Sequence, residues 1–74
     1  MDLNNLIHMA NRIGEFFQAM PDRAEAMDGI ANHIEKFWEP RMRHRLGACL
    51  DTAEGEPLLP IVREALQAHR HVLG

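Results

Sequence analysis

The chain has 74 residues, of which 46% are hydrophobic, and its formal net charge is −3 at pH 7. This length predicts a single domain over residues 1–74 and excludes a second domain with its own active site. The acidic balance argues against general nucleic-acid binding, which draws most of its affinity from neutralised phosphates.

The first predicted helix covers residues 3–20 and has an unusually wide apolar face. Apolar side chains recur at helical spacing from Leu3 through Phe16 and Phe17 to Met20, and they span about half of the helix circumference. A stripe about 100° wide is enough to pack against one core. We therefore expect another protein to cover part of this face.

Pro21 predicts the end of the first helix, and Asp22 with Glu25 resembles an N-cap with its reciprocal acceptor. The second predicted helix covers residues 22–38, and its apolar arc includes Phe37 and Trp38. We expect Phe37 to lie in the core, whereas Trp38 fits the core and a partner interface equally well.

Pro40 predicts a sharp joint to a short third helix over residues 40–50, which Gly47 weakens from its polar side. Residues 51–57 are polar and predict a loop, and Pro60 opens a last helix over residues 60–73. No alternating run predicts a strand. The expected fold is therefore all-α, a small bundle of about four short helices.

The chemistry-bearing side chains form no recognisable catalytic or metal-binding pattern. Cys49 is the only cysteine, falls on the apolar face of the third predicted helix, and is expected to be buried and inert. His69 and His71 would point about 200° apart on a helix, whereas shared ligation needs a spacing of three or four residues. We expect His69 to be a hydrogen-bonded core histidine. The prediction is no catalytic residue, no cofactor and no metal in this chain.

The densest feature is the segment from Phe37 to Arg45, which combines two aromatic residues, a helix joint and three arginines. Tryptophan and arginine are enriched at interface hot spots, since one buries a large rigid surface and the other forms forked bonds to carboxylates. The predicted partner interface consists of Phe16, Phe17, Trp38, Arg41, Arg43 and Arg45. The alternative is that the arginines form a solvated rim.

Residues across most of the chain match the pattern of one known family. They are Asn5-Leu6-Ile7, Met9-Ala10-Asn11, Ile13-Gly14, Phe16-Phe17, Pro21-Asp22, Gly29-Ile30-Ala31, His33-Ile34, Phe37-Trp38-Glu39-Pro40-Arg41-Met42-Arg43, Pro60, Val62 and Ala65-Leu66. In these residues the chain resembles the delta subunit of cytoplasmic NAD-dependent formate dehydrogenases. It departs from that pattern in two places, with Arg12 in place of a frequent glutamine and residues 47–50 in place of a leucine-rich stretch.

The resemblance implies a cytoplasmic accessory subunit that docks on and stabilises the large catalytic subunit. Pterin-bound molybdenum or tungsten, iron–sulfur clusters, FMN and NAD would then be bound by other subunits. A transient maturation factor for the pterin-cofactor subunit is the alternative.

A third possibility is a helix-turn-helix nucleic-acid binder, which the acidic balance disfavours. The sequence shows no basic leader and no long apolar run, so we expect the chain to be neither exported nor embedded in a membrane. A lone cysteine is typical of a protein in the reducing cytoplasm. The spare apolar face also allows self-association of the isolated chain.

Overall fold

Four α-helices build the fold, and the computed structural model describes residues 2–74. In chain order they are α1 (Leu3–Phe17), α2 (Arg23–Phe37), α3 (Pro40–Cys49) and α4 (Pro60–Ala68), with short 3₁₀ helices at Ala53–Gly55 and Arg70–Leu73. No strand occurs within residues 2–74. The predicted all-α class is confirmed.

Local sequence signals explain where each helix begins. The Asp2 carboxylate accepts a hydrogen bond from the Asn4 N–H at 3.0 Å, and Asp22 accepts from the N–H groups of Ala24 and Glu25 at 2.8 and 3.3 Å. Pro40 and Pro60 stand in the first turns of α3 and α4, where a missing N–H costs nothing. The four predicted starts therefore lie within one residue of the observed ones.

The helix ends differ more from the predicted ones. α1 ends at Phe17, not Met20, because the chain must become extended at Asp22 for this residue to cap α2. The last predicted helix divides in two, since α4 ends at Ala68 and His69 adopts φ −122° and ψ 51° before the final 3₁₀ helix. Apolar periodicity continues across both breaks and therefore does not reveal them.

One core joins all the helices, and α2 packs against both α1 and α4. Gly14 brings α1 close to α4, because a Cβ atom at this position would overlap Cγ2 of Val62. Gly47 packs against Leu73 and does not lie on a polar side, so its predicted placement was wrong. The buried residues of the core are Leu6, Ile7, Ala10, Ala26, Ile30, Ala31, Ile34, Trp38, Leu46, Cys49, Leu50, Leu58, Ile61, Val62, Ala65, Leu66, Val72 and Leu73.

Two polar side chains fix the long connection between α3 and α4. The Asn11 amide donates to the Pro57 carbonyl at 3.0 Å and accepts from the Leu59 N–H at 2.9 Å. The Arg63 guanidinium donates to the carbonyl oxygens of residues 50, 55 and 56 at 3.3, 2.8 and 3.1 Å. The connection is therefore held from α1 and from α4, although its sequence predicted a plain loop.

No helix between residues 2 and 74 has the length and apolar character needed to cross a membrane.

Candidate protein-binding surface

Large apolar side chains remain exposed on α1 and at the end of α2. Phe16 is 75% exposed and Phe37 is 71% exposed, while Met9 and Met20 are exposed to a smaller extent. Phe16 continues the wide apolar face of α1, and part of that face is uncovered, as expected. Phe37 was expected in the core, and that prediction was wrong.

Four rings form a continuous row across α1 and α2, which we call the aromatic row: Phe16, Phe17, His33 and Phe37. The ring centroids of Phe16 and Phe17 are 5.1 Å apart with the planes at 88°, an edge-to-face arrangement. The Phe17 and His33 centroids are 6.4 Å apart, and those of His33 and Phe37 are 4.7 Å apart. The row thus connects two exposed phenylalanines through two half-buried rings.

Gly29 allows this row to form. A Cβ atom at Gly29 would lie 2.5 Å from two carbon atoms of the Phe17 ring, so only a glycine leaves room for that ring on α2. His33 follows Gly29 by four residues and Phe37 follows by eight, which places all three on one side of α2. We did not predict from the sequence that Gly29, His33 and Phe37 contribute to the aromatic row. Their spacing of four residues, which places them on one side of a helix, could have indicated it.

An apolar groove lies beside the row. It has a volume of about 340 Å³ and is lined by Arg12, Ile13, Phe16, Phe17 and His33. Its two ionisable lining residues are both basic in type. The groove therefore offers apolar contact bordered by a cation, on a chain whose net charge is negative.

Trp38 occupies a different place from its neighbour Phe37. α2 ends at Phe37, and Trp38 adopts φ −91° and ψ 140°, which directs its side chain into the core. Only 6% of Trp38 is exposed. The structure therefore favours the core alternative for Trp38 in the isolated chain, and its predicted interface role stays a prediction.

The three predicted interface arginines have different surroundings. Arg41 is exposed, and Arg45 is half-buried. The Arg43 guanidinium donates from Nη1 to the Val72 carbonyl at 3.1 Å and ties α3 to the final 3₁₀ helix. Arg43 thus has a function inside the fold, and the interface roles of all three arginines remain predictions.

The two histidines near the end of the chain lie closer together than helical geometry predicted. Because α4 ends at Ala68, the rings of His69 and His71 are 5.9 Å apart between centroids. His69 Nε2 lies 2.9 Å from Asp28 Oδ1, and the side chain is half-buried, not fully enclosed as a core residue. No group of three or more potential metal ligands occurs among residues 2–74.

Cys49 is buried, as predicted. Its Sγ donates to the Leu46 carbonyl at 3.2 Å. Burial raises the pKa of the Cys49 thiol, because the surrounding apolar side chains disfavour the thiolate. The arrangement is that of an unreactive structural thiol.

The chain matches a known protein family. The family model described as NADH-dependent formate dehydrogenase delta subunit FdsD matches residues 5–66. This span includes the aromatic row, the groove, Asn11 and Gly14. No curated protein and no solved structure matches the chain significantly.

Proposed function

Because the chain belongs to the family of NADH-dependent formate dehydrogenase delta subunits, we propose that it is a non-catalytic accessory subunit that docks on and stabilises the catalytic subunit. The observation that carries this proposal is the aromatic row, which leaves Phe16 75% and Phe37 71% exposed beside a closed core. Burying one large apolar side chain is worth about 1.5–3 kcal/mol before the costs of association.

A partner would also stabilise the chain itself. A core drawn from fewer than about 80 residues seldom supplies more than about 3–5 kcal/mol. A partner that binds only the folded chain adds RT ln(1 + [L]/Kd), which is about 2.7 kcal/mol at a hundredfold excess over Kd. Docking and folding of this subunit therefore support one another.

In this proposal the redox chemistry belongs to other subunits, which bind the pterin-bound molybdenum or tungsten, the iron–sulfur clusters, FMN and NAD. Iron–sulfur clusters generally need several thiolate ligands, and the one thiol of this chain is buried. The proposed location is the cytoplasm.

Phe16, Phe17, Arg41 and Arg45 are the proposed direct contacts within the predicted interface. The exposed guanidinium of Arg41 is suited to forked bonds with partner carboxylates. Trp38 and Arg43 are proposed to contribute indirectly, by holding the joint between α2 and α3 and the end of the chain in place. The specific surface of the catalytic subunit is left open by this proposal.

The alternative function is a transient maturation factor that binds the same subunit only while its pterin cofactor is inserted. The same exposed row would serve both functions. The two differ in residence time, because a subunit stays in the active enzyme and a maturation factor leaves it.

The test is to produce the tagged chain together with the other enzyme subunits and to measure its stoichiometry in the purified active enzyme. We expect one copy for each catalytic subunit, and a lower inactivation temperature for enzyme produced without the chain. An active enzyme that lacks the chain but needed it during production would favour the maturation factor. Failure to associate with any enzyme subunit at any stage would contradict both functions.

A further inference from the structure

We propose that the groove beside the aromatic row receives an amphipathic helix of the catalytic subunit, with apolar side chains against Phe16 and Phe17 and a carboxylate paired with Arg12. This inference rests on the function proposed above. It adds the chemistry of the partner segment and the part of this chain that recognises it.

The shape of the surface favours a helical occupant. A sheet edge would be needed to add a partner strand, and residues 2–74 contain no strand. An apolar groove between two helices is instead the form that accepts the apolar face of an amphipathic helix. The groove volume of about 340 Å³ leaves room for a few side chains between Phe16 and His33.

The charge of the partner segment follows from Arg12. Four other arginines, Arg23, Arg43, Arg63 and Arg70, donate hydrogen bonds within the chain. The Arg12 guanidinium makes no hydrogen bond or ion pair with any residue between 2 and 74, and it borders the groove without a lining carboxylate. Its donors therefore remain available to a carboxylate of the partner, next to an apolar surface that strengthens such a bond.

The same charges disfavour a second copy of this chain as the occupant. In a two-fold dimer centred on the groove, the Arg12 guanidinium would face the Arg12 guanidinium of the second copy. Like charges brought together at an interface oppose association. A helix of a different subunit that carries apolar and acidic side chains can pack against the phenyl rings and also pair with the Arg12 guanidinium.

Site-specific crosslinking within the assembled enzyme identifies the occupant directly. The photoreactive residue p-benzoylphenylalanine replaces Phe16, whose exposure makes the replacement compatible with folding. We expect the crosslink on a segment of the catalytic subunit that has helical apolar spacing and an Asp or Glu within one turn. A crosslink to a second copy of this chain, to another subunit, or to a segment without a carboxylate would overturn the inference.

Affinity measurements test the two kinds of contact separately. The probe is the enzyme complex purified from cells that lack this chain, titrated with wild-type or variant chain. Phe16→Asp is expected to weaken binding at least about tenfold, as for a moderate hot spot. Arg12→Gln is expected to weaken binding by about three- to tenfold at low salt and by less at high salt, because salt screens the lost ion pair.

Ala24→Asp is the matched control, since it places a carboxylate at an exposed position on the opposite side of α2 from His33. Its affinity should equal that of the wild type. If the wild-type chain binds and both groove variants bind equally well, the groove inference is wrong while the accessory function stands. If the wild-type chain does not bind at all, the accessory function itself fails.

Discussion

Asn11 shows how a single side chain sets the position of a distant segment. Its amide spans two backbone groups of the connection before α4, accepting from Leu59 and donating to Pro57. The helical periodicity of α1 places Asn11 only at the edge of the apolar face. Nothing local in the sequence indicates which backbone groups, 46 and 48 residues away, it contacts.

Asn11→Ala is expected to lower the free energy of unfolding by about 1–3 kcal/mol, because the half-buried Leu59 N–H loses its acceptor. Urea denaturation measures this change. The matched control is Asn32→Ala on the exposed side of α2, which should alter stability by no more than about 0.5 kcal/mol. Equal effects of the two substitutions would show that the Asn11 contacts contribute nothing.

The raised pKa of Cys49 gives stability a defined pH dependence. The thiol has an ordinary pKa of 9.0, which burial raises in the folded chain, so the unfolded chain releases the thiol proton at lower pH. The contribution of Cys49 is therefore fully present below about pH 9 and is lost as the pH rises further. The chain has no tyrosine, so few other groups titrate in this range.

Between pH 8 and pH 10 we expect the free energy of unfolding to fall more steeply for the wild type than for Cys49→Ser. The native thiol should also react slowly with an aromatic disulfide reagent at pH 8, and quickly after addition of denaturant. Identical pH slopes for the two proteins, or fast labelling of the native chain, would contradict this account.

At the scale of helices, the end of α2 marks the limit of what periodicity can predict. Phe37 and Trp38 both extend the apolar arc of that helix, and a helical wheel treats them alike. The chain leaves the helix after Phe37, however, so Trp38 turns inward and Phe37 stays outside. The helix starts at Asp22 and Pro40 could be predicted because N-caps and first-turn prolines act locally. The directions of the Phe37 and Trp38 side chains depend instead on the packing of α3.

Trp38→Ala and Phe37→Ala should therefore have unequal effects although the residues are adjacent. Loss of the buried indole is expected to cost about 3–5 kcal/mol, enough to unfold much of the isolated chain. Loss of the exposed phenyl ring should cost less than about 1 kcal/mol. Thermal unfolding followed by circular dichroism measures the stability of the two variants. Similar losses of stability would contradict the different burial of the two residues.

The contact between α1 and α4 has its own test at Gly14. Alanine favours a helix over glycine by about 1 kcal/mol, yet a methyl group at this position would overlap Val62. We expect Gly14→Ala to destabilise the fold by about 1–3 kcal/mol because the two helices must separate. Gly47→Ala, where the nearest side-chain atom would lie 3.1 Å away, should be much milder in denaturant titrations.

For the whole molecule, the sequence predicted the class, the number of helices and a surplus of apolar surface. It placed Phe16 and Phe17 in the candidate site, because both belong to one wide helical face. It did not place His33 and Phe37 there, since their meeting with α1 depends on the close approach at Gly29. Contacts between helices depend on how side chains fit together at such close approaches, and the local sequence pattern of each helix gives little information about that fit.

Because α2 packs against both α1 and α4, we expect the molecule to unfold in one cooperative step. Fluorescence of Trp38, the one tryptophan, reports on the core, and far-ultraviolet circular dichroism reports on the helices. Their midpoints in urea should coincide. Separate midpoints would mean that the helices melt in more than one unit.

The Arg63 guanidinium has a further consequence for how the molecule moves. By holding three carbonyl oxygens of the longest connection, it removes the slack that a hinge would require. We therefore expect the last helix to stay packed on the first three when the subunit binds another protein. The subunit would then bind as a preshaped body, and any large rearrangement on assembly would occur in its partner.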